Sequence, residues 1–273
     1  MITGLLLPGF TAGLYLTLAW AGAHQTFNSK TQNHNDQQSK ILPLLALAVI
    51  GLHGWLTYGY LNHPAGLNLS LTNTLSLTAL VTVGIFWITS LQNQLNGFGI
   101  ILMPFAAICA ILPALPIGSA QPITLSGPLL SHILLSIIAY SLLAVASLQA
   151  LFMAYIDQQI RAKHSSRFLS SMPPLQQLET LLFRFILIGL LVLTASLISG
   201  FSYLDDLFGQ HVAHKTVLSL LAWLLFTILL LGHHFLGWRG RTAVRLCLIA
   251  FGLLMVGYIG SKFVLEIVLG TPT

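Results

Sequence analysis

Charge is what this chain lacks most: Asp, Glu, Lys and Arg together make up 6% of its 273 residues, while 56% are hydrophobic. A soluble domain carries roughly 25% charged residues, so this composition cannot cover a water-facing surface, and the chain reads as a polytopic membrane protein. The formal net charge of +5 invites a nucleic-acid reading. Its few Lys and Arg, however, are scattered through loops beside apolar segments, which is the pattern of membrane orientation and excludes nucleic acid as a partner. Cysteine is nearly absent too. Cys109 and Cys247 each lie inside an apolar run, fit no zinc or CxxC spacing, and read as small buried hydrophobes. Glu266 is the only acidic residue within an apolar segment, so a proton relay lacks its usual carboxylates. The first segment has no basic n-region and no small-residue cleavage site, and is therefore expected to stay as a spanning helix. No internal repeat is visible, which counts against a small-solute transporter built from inverted repeats.

What the chain has in abundance is long apolar runs. A spanning helix needs about 20 mostly apolar residues, because its backbone polar groups must be satisfied internally. Eight segments qualify, with cores near 2–24, 41–60, 70–91, 96–114, 129–155, 182–204, 215–235 and 243–268. Pro104, Pro113 and Pro116 would kink or end the fourth. The fold expected is an all-α membrane helix bundle of about eight transmembrane helices, forming a single transmembrane domain over 1–273. Orientation follows from the basic residues. With eight spans, Lys30 and Lys40, then Arg161, Lys163 and Arg167 with Arg184 just inside the next segment, then Arg239, Arg241 and Arg245 all fall on one side. That side is taken as cytoplasmic. Lys215 and Lys262 fall opposite, together with Asp205 and Asp206, so both termini are expected outside. The three arginines of the last turn read as headgroup anchors, the alternative being a site for an anionic group such as a propionate.

Ten histidines are many for so apolar a chain. His34, His63 and His164 fall in expected loops and read as solvated. His24 sits at the inner end of the first segment, an interfacial position. His53 lies deep within "ILPLLALAVIGLHGWLTYGY", where an ionisable group is expensive and reads as functional. The plainer alternative is a neutral imidazole bonded to a neighbouring helix. His132 lies just inside the outer end of the fifth segment and His233 just inside the inner end of the seventh, with His234 about 100° around the helix. Either position also suits an ordinary interfacial histidine. Zinc would need three or four clustered ligands, and only His211 and His214 are spaced closely enough to begin such a set. Haem asks for something else, an apolar slot between helices and one or two axial imidazoles from different helices. Lone histidines on separate spans suit that need without specifying it.

The blocks "SHILLSIIAYSLLAVASLQALFMAYIDQQIR", "MPPLQQLETLLFRFILIGLLVLTASLISGFSYLDDLF", "HKTVLSLLAWLLFTILLLGHHFLGWRGRTAVR" and "GYIGSKFV" carry a family likeness. Together they resemble the YpjD/HemX-like branch of the cytochrome c assembly family, which includes the CcsA and CcmC haem-handling proteins. The likeness extends from about Asn68 to Glu266 and is strongest from Ser131 onward. It implies haem b as cofactor, with the iron held by histidines on the helices. His132 matches the histidine opening the family's core helix pair, His233 the one before the GWRGR turn, and His53 a second-helix histidine. By depth alone His53 is nearer His132 than His233, about 7 Å against about 15 Å. The resemblance instead pairs His53 with His233 and leaves His132 for an outer site. The haem-delivering members carry a tryptophan-rich WWD segment before the seventh span; here that place reads "SYLDDLFGQHVAHKTV", with no tryptophan. His211 or His214 would be the substitute for a missing outer ligand.

The reading is an inner (plasma) membrane, multi-pass protein that holds or moves haem through axial histidines and does no covalent chemistry itself. The partners expected are haem, the lipid bilayer, and cytochrome c maturation or haem-synthesis proteins. A HemX-like regulator or scaffold of haem synthesis without stoichiometric haem, and a small-solute transporter, are the alternatives.

Overall fold

The structure, a computed structural model, describes residues 2–28, 36–92, 98–115, 117, 121–123, 126–162, 174–203 and 213–269. Among the described residues it is all-α apart from one short hairpin and an isolated bridge between Leu67 and Ile123, and seven helices are long and apolar enough to cross a membrane. They are α1 (Ile2–Asn28), α2 (Asp36–Leu61), α3 (Leu71–Gln92), α5 (Gly127–Arg161), α6 (Leu175–Tyr203), α7 (Ala213–Leu236) and α8 (Gly240–Val268). Between α3 and α5 lies α4 (Gly99–Ile111), which continues as a 3-10 turn over Leu112–Ala114. This is the fourth apolar segment of the sequence, and it is shorter than the other seven. Pro113 falls in the 3-10 turn, where its missing N–H and fixed φ end the α-helical ladder.

The chain divides into two compact units. The first comprises 1–61, 72–117 and 155–175. Here α1 packs against α2 and α4. Small side chains line the buried faces, Ala12 and Ala19 on α1 and Ala106, Ala107 and Ala110 on α4, and small residues let backbones approach where apolar burial gives no advantage over lipid. α3 opens with five polar residues among eight, "LTNTLSLT", yet it remains a helix. Its hydroxyls turn back on their own backbone: Thr78 donates to the Thr74 carbonyl at 2.8 Å, Thr82 to Thr78 at 2.7 Å and Thr89 to Ile85 at 2.8 Å. That arrangement satisfies each hydroxyl without water. The Trp87 indole N–H donates to the Pro43 carbonyl of α2 at 2.9 Å.

The second unit comprises 62–71, 118–154 and 176–273. It begins with the hairpin β1 (Asn62–His63) and β2 (Gly66–Leu67), which pairs Asn62 with Leu67 and His63 with Gly66. Gly66 takes φ 138°, a conformation that side chains rarely adopt. On α7 the buried residues Ala222, Phe226 and Leu229 recur at helical spacing, and on α8 so do Ala243, Cys247, Ala250 and Leu254. These two faces belong to helices that pack on each other. On α6, a Cβ at Gly189 would come within 2.8 Å of Leu143 on α5, so the pair is as close as glycine permits. Side-chain bonds add polar ties: Gln149 Nε2 donates to the Leu178 carbonyl at 2.7 Å, Trp223 Nε1 to Thr194 Oγ1 at 2.8 Å, and Tyr140 to the Leu254 carbonyl at 3.2 Å.

The far half of α8 leaves the α-helical register. Val256–Gly260 and Val264–Val268 are π-helical, with Ser261–Phe263 between them. Such bulges rotate the face that a helix presents, and here Lys262 and Glu266 are both buried. Their charged groups lie 3.4 Å apart. Lys262 also donates to the Leu69 carbonyl, and Glu266 accepts the Leu71 N–H at 2.8 Å. The one acidic residue within an apolar segment is thus half of a clasp on the loop that leads into α3.

Candidate functional site

The four histidines singled out in the sequence divide between the units. His53 belongs to the first; His132, His214 and His233 belong to the second. His211, His34 and His164 lie outside the described residues. His63 sits in β1, where its Nδ1 accepts the Ala65 N–H at 3.2 Å, and His24 is exposed beside Trp20. His214 opens α7 and is exposed.

His233 stands at the last turn of α7, and its surroundings explain the "GHHFLGWRGR" string. The helix ends at Leu236. Gly237 then takes φ 68°, turning the chain back so that the Trp238 N–H bonds the Gly232 carbonyl at 3.1 Å. The Trp238 carbonyl, carried round by this turn, lies 2.9 Å from His233 Nδ1. A carbonyl can only accept, so Nδ1 carries a proton, and in the neutral ring Nε2 is the nitrogen with the lone pair. The imidazole is fixed on its other side by Phe183 of α6, stacked at 3.5 Å between centroids and 14° between planes. Beyond it Arg239, Arg241 and Arg245 are exposed, and Glu179 accepts the Gly240 N–H at 3.1 Å.

His132 is held in the same manner by different residues. Its Nδ1 lies 3.0 Å from the Ser196 carbonyl and 2.9 Å from Ser199 Oγ, both on α6. Ser199 itself donates to the Ser196 carbonyl at 2.7 Å, so its oxygen is left to accept from the ring. Again Nδ1–H is the donor and Nε2 the free lone pair. Gly200 makes the room, since a Cβ there would stand 3.0 Å from His132 Cε1.

His132 and His233 therefore contact one helix, α6, at positions 196–200 and at 183. Thirteen residues at helical rise separate these levels by about 20 Å. Two imidazoles on one metal have nitrogens only about 4 Å apart, so these two rings do not meet at one metal.

His53 differs from both. It is 0% exposed, and both of its nitrogens are engaged: Nδ1 with the Tyr15 hydroxyl of α1 at 3.0 Å, Nε2 with the Ser76 hydroxyl of α3 at 3.0 Å. Ser76 in turn contacts Thr57 Oγ1 at 3.3 Å. Among the described residues no three of His, Cys, Asp and Glu gather to hold a metal ion. His132 and His233 are thus each held through Nδ1, whereas His53 is engaged at both nitrogens. The residues that orient these rings, Tyr15, Ser76, Phe183, Ser196, Ser199 and Trp238, were not singled out in the sequence. The sequence marked only the turn itself, as the GWRGR block that follows His233.

Comparison with known proteins shows the family. Residues 41–269 match the family described as "Cytochrome C assembly protein". The chain is 34% identical over 209 residues to the inner membrane protein YpjD of Escherichia coli K12, covering 75% of this chain and 78% of that one. It is 27% identical over 185 residues to the cytochrome c biogenesis protein CcsA of Prochlorococcus marinus AS9601, covering 59% and 60%. No solved structure matches. The chain is a multi-pass membrane protein that belongs to the cytochrome c assembly protein family.

Proposed function

We propose that this is an inner-membrane protein that holds haem, with His132 and His233 each offering Nε2 to the iron of a separate haem b. The observation that carries this reading is the pair of Nδ1–H···O=C bonds, to Ser196 and to Trp238. Such a bond fixes the tautomer, aims the opposite nitrogen and raises its basicity, which is how ligating histidines are supported. The two cysteines are buried and far apart in sequence, and no CxxCH attachment motif exists in the chain, so the haem would be held without thioether bonds.

In this reading His233 acts without His53, whose nitrogens are both taken. Phe183 keeps the His233 ring from rotating, and Ser199 does the same for His132. His132 and His233 would hold the haem, which would supply an iron centre able to take a small ligand or a group from a partner protein. The chain's own part is to hold, orient and shield, with no covalent chemistry, and a cytochrome c maturation or haem-synthesis protein is the expected partner.

The test is an optical spectrum and haem titration of the purified protein. The expected result is Soret absorbance at about two haems per chain, with carbon monoxide binding to the reduced form, as single-imidazole iron permits. His132→Ala and His233→Ala should each remove one haem. Absence of Soret absorbance after haem addition would sink the proposal.

A further inference from the structure

We propose that Tyr15 withholds His53 from coordination, so that the imidazole serves as a junction of α1, α2 and α3 and not as an axial ligand. A neutral imidazole has one donor and one acceptor nitrogen, and hydroxyls can play either part. Tyr15 and Ser76 therefore satisfy both of its tautomers. Iron at either nitrogen would displace one of these hydroxyls. If Ser76 were displaced, Thr57 remains within reach of it at 3.3 Å. If Tyr15 were displaced, its hydroxyl would be left within a fully buried site, for Tyr15 is 0% exposed and His53 is its hydrogen-bond partner in the structure. The phenol also covers the ring itself, edge-on at 5.6 Å and 80°.

A separate observation points the same way. The family match begins at residue 41. His53 and Ser76 lie inside it, whereas Tyr15 comes from α1, which precedes it. The residue that occupies His53 is thus supplied by a helix outside the matched core, and it is a specificity determinant: it decides whether His53 is open to a ligand.

This inference sharpens the haem reading, and its two arms separate the failure of each. In the first arm, full-length protein without haem is unfolded thermally in detergent. His53→Ala should lower the midpoint by several degrees, because it strands the Tyr15 hydroxyl in an apolar site. Adding Tyr15→Phe should recover part of that loss, since the stranded group is then gone. An unchanged midpoint in His53→Ala, or no recovery in the double variant, would overturn the junction. In the second arm, haem is titrated into the wild type, His53→Ala and His53→Asn, the last keeping a donor and an acceptor should the alanine variant fail to fold. The spectra and stoichiometry should be the same in all three. Loss of an axial-ligand signature in His53→Asn would make His53 a ligand and overturn the proposal. If no variant binds haem, the proposed function falls while the first arm still decides the junction.

Discussion

Trp238 closes over Gly232: its N–H bonds the Gly232 carbonyl at 3.1 Å, and its indole covers the glycine so closely that a Cβ there would overlap the ring. The same tryptophan presents its carbonyl to His233 Nδ1. Gly232→Ala must therefore push the turn outward and take the carbonyl away from the imidazole. Loss of such a support typically weakens a ligand by 10–100-fold. The expectation is a fall of about 10–100-fold in haem affinity at the His233 site, measured by titration, with the His132 site unchanged. Equal weakening of both sites would show that the turn acts on the whole fold.

At the other end of α6 the fit is tighter than ordinary contact without being an overlap. A Cβ at Gly200 would lie 3.0 Å from His132 Cε1, so Gly200→Ala should shift the ring by a few tenths of an ångström. Ser199→Ala removes one of the two acceptors on Nδ1 and leaves the Ser196 carbonyl. Both substitutions should weaken the His132 haem less than His132→Ala does, and the effects of His132→Ala and His233→Ala should add, as for sites far apart. Spectroscopic titration of the double variant against the singles checks this. A coupling as large as either single effect would mean one shared iron.

Topology hinges on α4. From Gly99 to Ala114 it spans about 24 Å at helical rise, a few ångströms short of a typical hydrocarbon core. If it did not cross, the helix ends carrying Lys40 and Arg161 would fall on opposite sides, against the charge rule. Local thinning of the bilayer accommodates such a mismatch at modest cost. Reporter fusions after Gly66, Ala120 and Thr273 should therefore report the outside, and fusions after Asp36 and Arg241 the inside. An inside signal at Ala120 would make α4 re-entrant.

The buried clasp gives a stability prediction. Lys262 and Glu266 have side chains 11% and 0% exposed and lie 3.4 Å apart. Removing one partner of a buried pair costs about 3–5 kcal/mol, much of it for the charge left behind. Glu266→Leu or Lys262→Met should each lower the unfolding midpoint markedly. The double replacement by Lys262→Met and Glu266→Leu should lose less than the sum, measured as a thermodynamic cycle.

Much of the helix count was legible because a bilayer core has a fixed thickness and apolar runs must match it. The ends were not. α5 runs to Arg161 and α6 starts at Leu175, beyond the cores read near 155 and 182, because polar flanks continue a helix into the headgroup region with no hydropathy signal. The histidines divide the same way. The depth of His53 was visible and its burial followed, but its partner Tyr15 lies 38 residues away on another helix, and no local pattern announces that contact. For His233 the GWRGR block named a turn through the family likeness. It did not show that the turn would return a carbonyl to the ring. The expected pairing of His53 with His233 came from family likeness, and a likeness of helices carries no information about which hydroxyl faces a nitrogen.

The clasp on the loop before α3 also orders events in time. Leu69 and Leu71 are made early, yet their partners Lys262 and Glu266 follow 193 and 195 residues later. A chain threaded into the bilayer from its N-terminus must therefore hold that loop at the surface, its carbonyl and N–H hydrated, while five further helices are synthesised. Only when the second π-helical turn of α8 is laid in can the loop be drawn down and fastened. The last helix thus works as a keystone, set after the rest of the arch and responsible for locking one of its first stones.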